Sequence, residues 1–198
     1  MCMEMTPWEK AVDFHGHVCP GLAMGYRAAM EAMERFKQER AEDEEIVAIV
    51  ETDACGVDAV QVITGCTFGK GNFVYRDIGK QAFNFAVRGQ DEGLRVVMKY
   101  DVISNLASPE WAELRQKVFA GEANEDEQKK FKELHQQITN KILEEPLENI
   151  MDVKTMPIDI PSKARIHETV QCACCGEGVM KPRTVEKESG YHCLDCEN

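Results

Sequence analysis

The sequence lacks the features that direct a protein to nucleic acid or into a membrane. It contains no long run of lysine and arginine, and its formal net charge of −12 would repel a phosphate backbone. No uninterrupted apolar stretch approaches the roughly 20 residues that span a bilayer. The first residues carry neither the basic flank nor the apolar core of a signal peptide. We therefore expect a cytoplasmic protein that binds neither nucleic acid nor membrane.

A complete set of internal disulfides is also excluded, because the cysteines number nine, which is odd. In a reducing cytoplasm, so many cysteines are more often metal ligands or reactive thiols. Cys2, Cys19, Cys55 and Cys66 are widely spaced, whereas the other five lie between residues 172 and 196. With 198 residues, 43% of them apolar, the chain is long enough for one core domain and a small appendage. We predict a core domain over residues 1–160 and a separate unit over 161–198.

The pattern of apolar residues in the first 100 positions predicts an α+β core. Three- and four-residue steps indicate a helix from Pro20 to about Arg40 and another over 55–64, on either side of a buried strand at 46–51. Three further strand candidates, 73–78, 81–88 and 94–100, are separated by glycine-containing turns that are typical of an antiparallel meander. The predicted order is helix, strand, helix and three strands. Helices are expected at 110–120 and 125–143, and 150–160 either contains a strand or begins a linker.

The segment from Phe14 to Gly21 places two histidines and a cysteine directly before a predicted helix. Proline suits the first turn of a helix, so Pro20 predicts that Cys19 lies at or near the N-cap. There the helix dipole favours the thiolate, which is the form that binds metal and acts as a nucleophile. Cys55 is predicted to occupy the same position at the start of a second helix.

His17, Cys19 and Cys55 supply nitrogen and sulfur ligands suited to zinc or a similar transition metal. Such a site requires the two helix starts to pack side by side. Three protein ligands would leave a position for water or substrate, as in catalytic zinc sites. Alternatively, Cys19 or Cys55 acts as a nucleophile with a histidine as proton carrier. His15 is expected to support a ligand rather than to bind the metal itself.

Cys66 and Lys70 belong to a glycine-rich loop, 65–72, of the kind that often serves a function. A continuous helix from Cys55 to Gly65, rising about 1.5 Å per residue, would separate Cys55 and Cys66 by about 16 Å. The two thiols can share a site only if the helix is shorter, if the loop folds back, or if the site crosses a subunit boundary. We retain Cys66 as a lower-ranked candidate and Lys70 as a candidate anion contact. The loop lacks the Walker spacing, which argues against nucleotide binding.

The last unit contains two Cys-x2-Cys pairs separated by seventeen residues, a spacing typical of a four-cysteine zinc site. The predicted ligands are Cys172, Cys175, Cys193 and Cys196. A segment this short can hardly form an apolar core, so metal would replace the core as its source of stability. Cys174 offers an alternative first pair, but the spacing of Cys172 and Cys175 matches the second pair. Five basic and six acidic residues follow Pro161, which favours a structural or protein-contact finger over a nucleic-acid reader.

Four linked motifs resemble the FmdE family, which is named for a component of formylmethanofuran dehydrogenase. They are Phe14-His15-Gly16-His17-x-Cys19-Pro20 with Gly25 and Arg27, then Ala54-Cys55-Gly56-x-Asp58-Ala59-x-Gln61, then Thr64-Gly65-Cys66-Thr67-x-Gly69-Lys70-Gly71-Asn72, and finally Asp77-x-Gly79-Lys80. The resemblance covers about residues 8–100 densely. The C-terminal unit resembles the treble-clef zinc finger that some members carry.

The resemblance implies an α+β core like the catalytic domain of glyceraldehyde-3-phosphate dehydrogenase, and a tendency to form homodimers. The named oxidoreductase reduces carbon dioxide onto methanofuran with a molybdenum or tungsten pterin that other subunits carry. Nothing in this chain looks like the subunit that holds that cofactor. We predict a zinc-binding accessory or stand-alone protein, with molybdoenzyme or tungstoenzyme subunits as partners. A metal-dependent or thiol enzyme acting on a small molecule and a zinc-finger interaction module are the alternatives.

Overall fold

The computed structural model describes residues 5–164 and 166–197, so Cys2 lies outside the described residues. The chain divides into two compact units, residues 1–163 and 164–198. Within the described ranges, no helix combines the length and the apolar character needed to span a bilayer.

The larger unit contains the predicted α+β order of helix, strand, helix and three strands, preceded by a short helix and followed by four helices and a fifth strand. Its elements are α1 (Pro7–His15), α2 (Pro20–Phe36), β1 (Ile46–Val50), α3 (Gly56–Thr64), β2 (Phe73–Tyr75), β3 (Ala82–Val87), β4 (Gly93–Met98), α4 (Val102–Leu106), α5 (Pro109–Ala120), α6 (Glu125–Glu144), α7 (Leu147–Ile150) and β5 (Met151–Met156). The fold class is therefore confirmed. The short helices α4 and α7 were not predicted.

The five strands form one mixed sheet in the order β2-β1-β3-β4-β5. The antiparallel pairing predicted for the second and third strand candidates is observed between β3 and β4. The predicted meander is wrong for the first candidate, because β2 pairs in parallel with β1 at the sheet edge. A parallel pair needs a crossover connection, and α3 supplies it. In the segment 150–160, β5 ends just before Pro157, which cannot donate a ladder hydrogen bond.

Helices cover one face of the sheet and bury its apolar side chains. Phe83 and Phe85 of β3 are fully buried on that face and belong to the main core. The helices contribute mainly alanines from α2 and longer aliphatic side chains from α6, among them Ala28, Ala29, Ala32, Ile138 and Ile142. Small side chains on α2 let that helix lie close to its neighbours.

The helices α2 and α3 approach each other very closely. A Cβ atom added to Gly25 would lie only 1.9 Å from the carbonyl oxygen of Gly56. The two helix backbones are thus in direct contact near their N-terminal ends. This contact places Cys19, the N-cap of α2, beside Cys55, the N-cap of α3.

The smaller unit consists of two β-hairpins and two short 3-10 turns. The first hairpin pairs β6 (Thr169–Gln171) with β7 (Gly178–Met180), and the second pairs β8 (Thr184–Lys187) with β9 (Gly190–Cys193). Among its described residues, the only fully buried side chain is that of Cys172, at 1% exposure. A unit with so little buried apolar surface needs another source of stability.

Candidate metal sites

His15, His17, Cys19 and Cys55 converge where the starts of α2 and α3 meet. One possible ligand atom from each residue lies within 4.8 Å of the others. The thiols come from the two N-caps, whereas the imidazoles come from the last residue of α1 and from the turn that follows it. We call these four residues the core group. The structure thus brings the predicted His17, Cys19 and Cys55 together and adds His15 to them.

Glycine at position 21 leaves room for the two thiols of the core group. A Cβ atom at Gly21 would lie 3.2 Å from the Cβ of Cys55, and 3.8 and 3.9 Å from the Sγ atoms of Cys55 and Cys19. A larger side chain would therefore press directly on both cysteines. The close packing of α2 on α3 is part of the geometry of the site.

Asp58 orients His15 toward the thiols. The Nδ1 atom of His15 lies 2.7 Å from Oδ2 of Asp58, and its Nε2 atom lies 3.8 Å from Sγ of Cys19. When the N–H group at Nδ1 donates a hydrogen bond to the carboxylate, Nε2 carries a free lone pair that faces the thiols. A carboxylate behind a histidine is the usual arrangement of metal-ligating histidines. This geometry suits direct metal ligation by His15 as well as the supporting position predicted for it.

The role of Asp58 was not predicted, although its spacing from Cys55 is a feature of the sequence that could have indicated it. Asp58 follows Cys55 by three residues on α3, and residues at that spacing share one helix face. A carboxylate one turn beyond a candidate ligand can therefore reach a partner of that ligand. The sequence does not indicate which histidine it would contact.

The core group fits a tetrahedral metal such as zinc in donor chemistry and in size. Bonds of about 2.0–2.3 Å to nitrogen and sulfur place neighbouring ligand atoms about 3.3–3.8 Å apart. The observed separations, all within 4.8 Å, reach that range through small side-chain rotations. Exposure is graded across the group: Cys19 is buried, His15 and Cys55 are partly buried, and His17 is exposed. The solvent side of the site is therefore the side of His17.

Burial has the largest effect on the pKa of Cys19. The N–H of Leu22 donates to its Sγ atom at 3.3 Å, as expected for an N-cap. Burial nevertheless raises the pKa of the Cys19 thiol to about 11, and the neighbouring Cys55 adds to the increase. The helix start favours the thiolate as predicted, through the Leu22 contact, but burial has the larger effect on the pKa. A bound cation would favour the thiolate of Cys19. A thiol with a raised pKa therefore suits a metal ligand better than a free nucleophile.

Cys66 and Lys70 lie outside the core group and make structural contacts. The Cys66 side chain is completely buried, its thiol donates to the carbonyl oxygen of Ile46 at 3.3 Å, and burial raises its pKa to about 11. Lys70 Nζ donates to the carbonyl oxygens of Ala41 at 3.0 Å and Glu42 at 3.3 Å. The intervening α3 is continuous, so its length keeps Cys66 away from Cys55. These placements do not support the catalytic role predicted for Cys66 or the anion contact predicted for Lys70.

A second group of ligand atoms lies in the smaller unit, where Cys172, Cys175, Cys193 and Cys196 have their sulfur atoms within 4.8 Å of one another. The N–H of Cys193 donates to Sγ of Cys172 at 3.3 Å. Backbone N–H groups from Cys175, Cys193 and Cys174 lower the pKa of Cys172 to about 6. Cys174 itself is exposed and lies outside the group. Four thiols in this arrangement fit a structural zinc site.

Comparisons with known proteins agree with the fold. A family model described as "FmdE, Molybdenum formylmethanofuran dehydrogenase operon" matches residues 14–152. A probable S-adenosyl-L-methionine-binding protein of Archaeoglobus fulgidus is 36% identical over 194 residues, which cover 94% of this chain and 51% of that protein. The chain thus spans about half the length of this curated relative.

A solved structure extends the comparison to three dimensions. The crystal structure of a tungsten formylmethanofuran dehydrogenase FmdE-like protein from Syntrophus aciditrophicus superposes with a TM-score of 0.63 at 25% identity. The match covers 96% of this chain and 89% of the other.

Proposed function

Because the chain belongs to the FmdE family, whose model it matches over residues 14–152, we propose that it is a metalloprotein with two sites of different character. The core group binds zinc or a similar transition metal and carries the function. The four cysteines of the smaller unit bind a structural zinc ion. The observation that supports the core site most strongly is the convergence of four soft ligand atoms, one of them on a histidine held by Asp58.

The gradient of exposure suggests how the core group works. Cys19, Cys55 and His15 would hold the metal, and two thiolates with one imidazole are a ligand set found in catalytic zinc sites. A metal held there supplies Lewis-acid chemistry toward a small molecule. His17 would complete the ligand set on the solvent side, where it is exposed. The imidazole of His17 would also be able to hold or transfer a proton beside a substrate.

The biological setting is proposed from the family. The family description and the name of the Syntrophus aciditrophicus protein both refer to formylmethanofuran dehydrogenase. We infer an accessory or stand-alone protein of one-carbon metabolism, forming a homodimer and working beside the molybdenum or tungsten subunits of that enzyme. The finger would then serve as a contact for such a partner. We do not propose S-adenosyl-L-methionine binding for this chain, because the match covers only about half of the Archaeoglobus fulgidus protein.

Substituting Asp58→Asn tests the core metal site through the residue that orients His15. The amide oxygen accepts a weaker hydrogen bond from Nδ1 of His15 than the charged carboxylate does, so Nε2 becomes a weaker and less well oriented ligand. We expect the affinity of the core site for zinc to fall by about 10- to 100-fold. Competition titration with a chromophoric chelator, performed on the full chain, measures this change directly.

Asp13→Asn is the matched control, because Asp13 is an exposed carboxylate on the same helix as His15. It removes the same charge two residues away and should leave zinc affinity within about twofold. Equal losses in Asp58→Asn and Asp13→Asn would mean that general electrostatics, rather than the His15 contact, governs metal binding. Unchanged affinity in Asp58→Asn would remove His15 from the ligand set.

A further inference from the structure

A cavity lies along the outer side of the contact between α1 and α3. Its volume is about 360 Å³, within the range of small-molecule sites. The described residues that line it are Lys10, Phe14, Arg40, Gln61, Val62 and Thr67. None of the core-group residues is among them. The cavity is therefore a separate feature, although Phe14 directly precedes His15 and Gln61 lies about one helical turn beyond Asp58.

The charge of the cavity wall is opposite to that of the chain. Both charged lining residues, Lys10 and Arg40, are positive, whereas the whole chain carries a formal charge of −12. No acidic side chain is among the described lining residues. The guanidinium of Arg40 is the positive group of this wall that suits an anion.

Arg40 is held in position before any ligand arrives. Its Nε atom donates to the carbonyl oxygen of Val62 at 2.9 Å, which fixes the guanidinium against α3. That bond uses one of the five N–H donors of an arginine. The next residue is anchored as well, because its carbonyl oxygen accepts a hydrogen bond from Lys70 Nζ at 3.0 Å. A fixed guanidinium loses little side-chain entropy when it binds a carboxylate or a phosphate.

The rest of the wall suits a flat apolar group. Phe14 is 60% exposed, and it lies four residues after Lys10, so both project from the same face of α1. Val62 adds aliphatic surface from α3, where an aromatic ring can lie across the two side chains. Gln61 and Thr67 place an amide and a hydroxyl in the same wall, and these can hydrogen-bond ring nitrogens or hydroxyl groups.

We propose that this cavity binds a small organic anion that carries a flat ring. The anionic group, a carboxylate or a phosphate, is bound by Arg40. The ring lies against Phe14 and Val62, with Gln61 as a hydrogen-bonding partner. The proposal does not depend on a metal in the core group, so the two can fail separately.

Isothermal titration of the full chain with two pairs of probes tests the site. Adenosine 5′-monophosphate is compared with adenosine, and indole-3-acetate with indole-3-acetamide, so that each anion has a neutral counterpart of the same ring. We expect at least one anion to bind at least tenfold more tightly than its counterpart. A preference for either anion supports the site, and the preferred probe shows whether the bound anionic group is a phosphate or a carboxylate.

Variants then locate the binding. Arg40→Gln should weaken the preferred anion at least tenfold, whereas Lys129→Gln, which removes an exposed charge on α6, should change it by less than twofold. Phe14→Ser provides a second variant that leaves the Arg40 contact with α3 intact, and we expect at least a fivefold loss. Backbone amide shifts of Phe14 and Gln61 on ligand addition place the ligand in the cavity.

Three results would overturn the inference. The first is that neither anion binds at millimolar concentration, and the second is that the neutral counterparts bind as tightly as the anions. The third is that Arg40→Gln and Lys129→Gln weaken binding of the anion equally while Phe14→Ser leaves it unchanged. That result would show diffuse charge attraction instead of a site.

Discussion

Substituting Gly25→Ala is expected to destabilise the larger unit by about 3 kcal/mol or more, beyond the roughly 1–3 kcal/mol typical of overpacked cores. The added Cβ atom would lie 1.9 Å from the carbonyl oxygen of Gly56, and the atoms in conflict are backbone atoms that no side-chain rotation can move. The backbones of α2 and α3 would have to separate. Because these helix starts carry Cys19 and Cys55, any protein that still folds should bind metal at the core group more weakly.

The expected destabilisation is opposite in sign to the usual effect of this substitution. Alanine in place of glycine inside a helix normally stabilises it by roughly 1 kcal/mol. Chemical denaturation of the full chain measures the change in the free energy of unfolding. Gly69→Ala is the matched control, because no atom lies within 4 Å of the added Cβ atom there. If the Gly25→Ala variant is as stable as the Gly69→Ala variant, the backbones of α2 and α3 are not in close contact at Gly25.

Removing metal with a strong chelator is expected to unfold the smaller unit while the larger unit stays folded. Among its described residues, only the side chain of Cys172 is fully buried, so the hairpins have almost no apolar core. Structural zinc contributes about 10–16 kcal/mol in comparable small units. The larger unit retains its sheet and helices, because buried aromatic and aliphatic side chains stabilise it.

Amide spectra of the chelated full chain provide the measurement. Signals from residues 169–193 should collapse to the narrow range of unfolded chains, whereas those of β1, β3 and β4 stay dispersed. Cys196→Ser should reproduce this collapse without chelator, and Cys174→Ser should not, because Cys174 lies outside the sulfur group. Dispersed signals from 169–193 after complete metal removal would contradict the structural role of the metal.

Periodicity predicted the elements better than their pairing. The buried strand at Ile46–Val50 and the helix that begins after Cys55 follow from local patterns, and both are observed. The parallel pairing of β2 with β1 could not be predicted in this way. A three-residue strand carries too little pattern to specify its neighbour, and its position depends on how α3 packs against α2.

The site shows the same division between local and tertiary information. Proline after Cys19 and the apolar spacing after Cys55 predicted two helix starts. The meeting of the two thiols was a condition of the predicted site, and it depends on the tertiary contact between α2 and α3. The role of His15 depends on the turn at Gly16, with φ of 86°, and on the reach of Asp58 from another helix. The raised pKa of Cys19 depends on burial by the packed helices. Neither property can be derived from neighbouring residues alone.

The metal content of the purified full chain tests the central claim most directly. Mass spectrometry of metals after anaerobic purification from zinc-supplemented cells should give about two equivalents per chain for the native sequence, one for each group of four ligands. Cys19→Ser/Cys55→Ser and Cys172→Ser/Cys196→Ser should each retain about one. A native chain that holds a single equivalent, unchanged in Cys19→Ser/Cys55→Ser, would contradict the account, because the core group would then bind no metal.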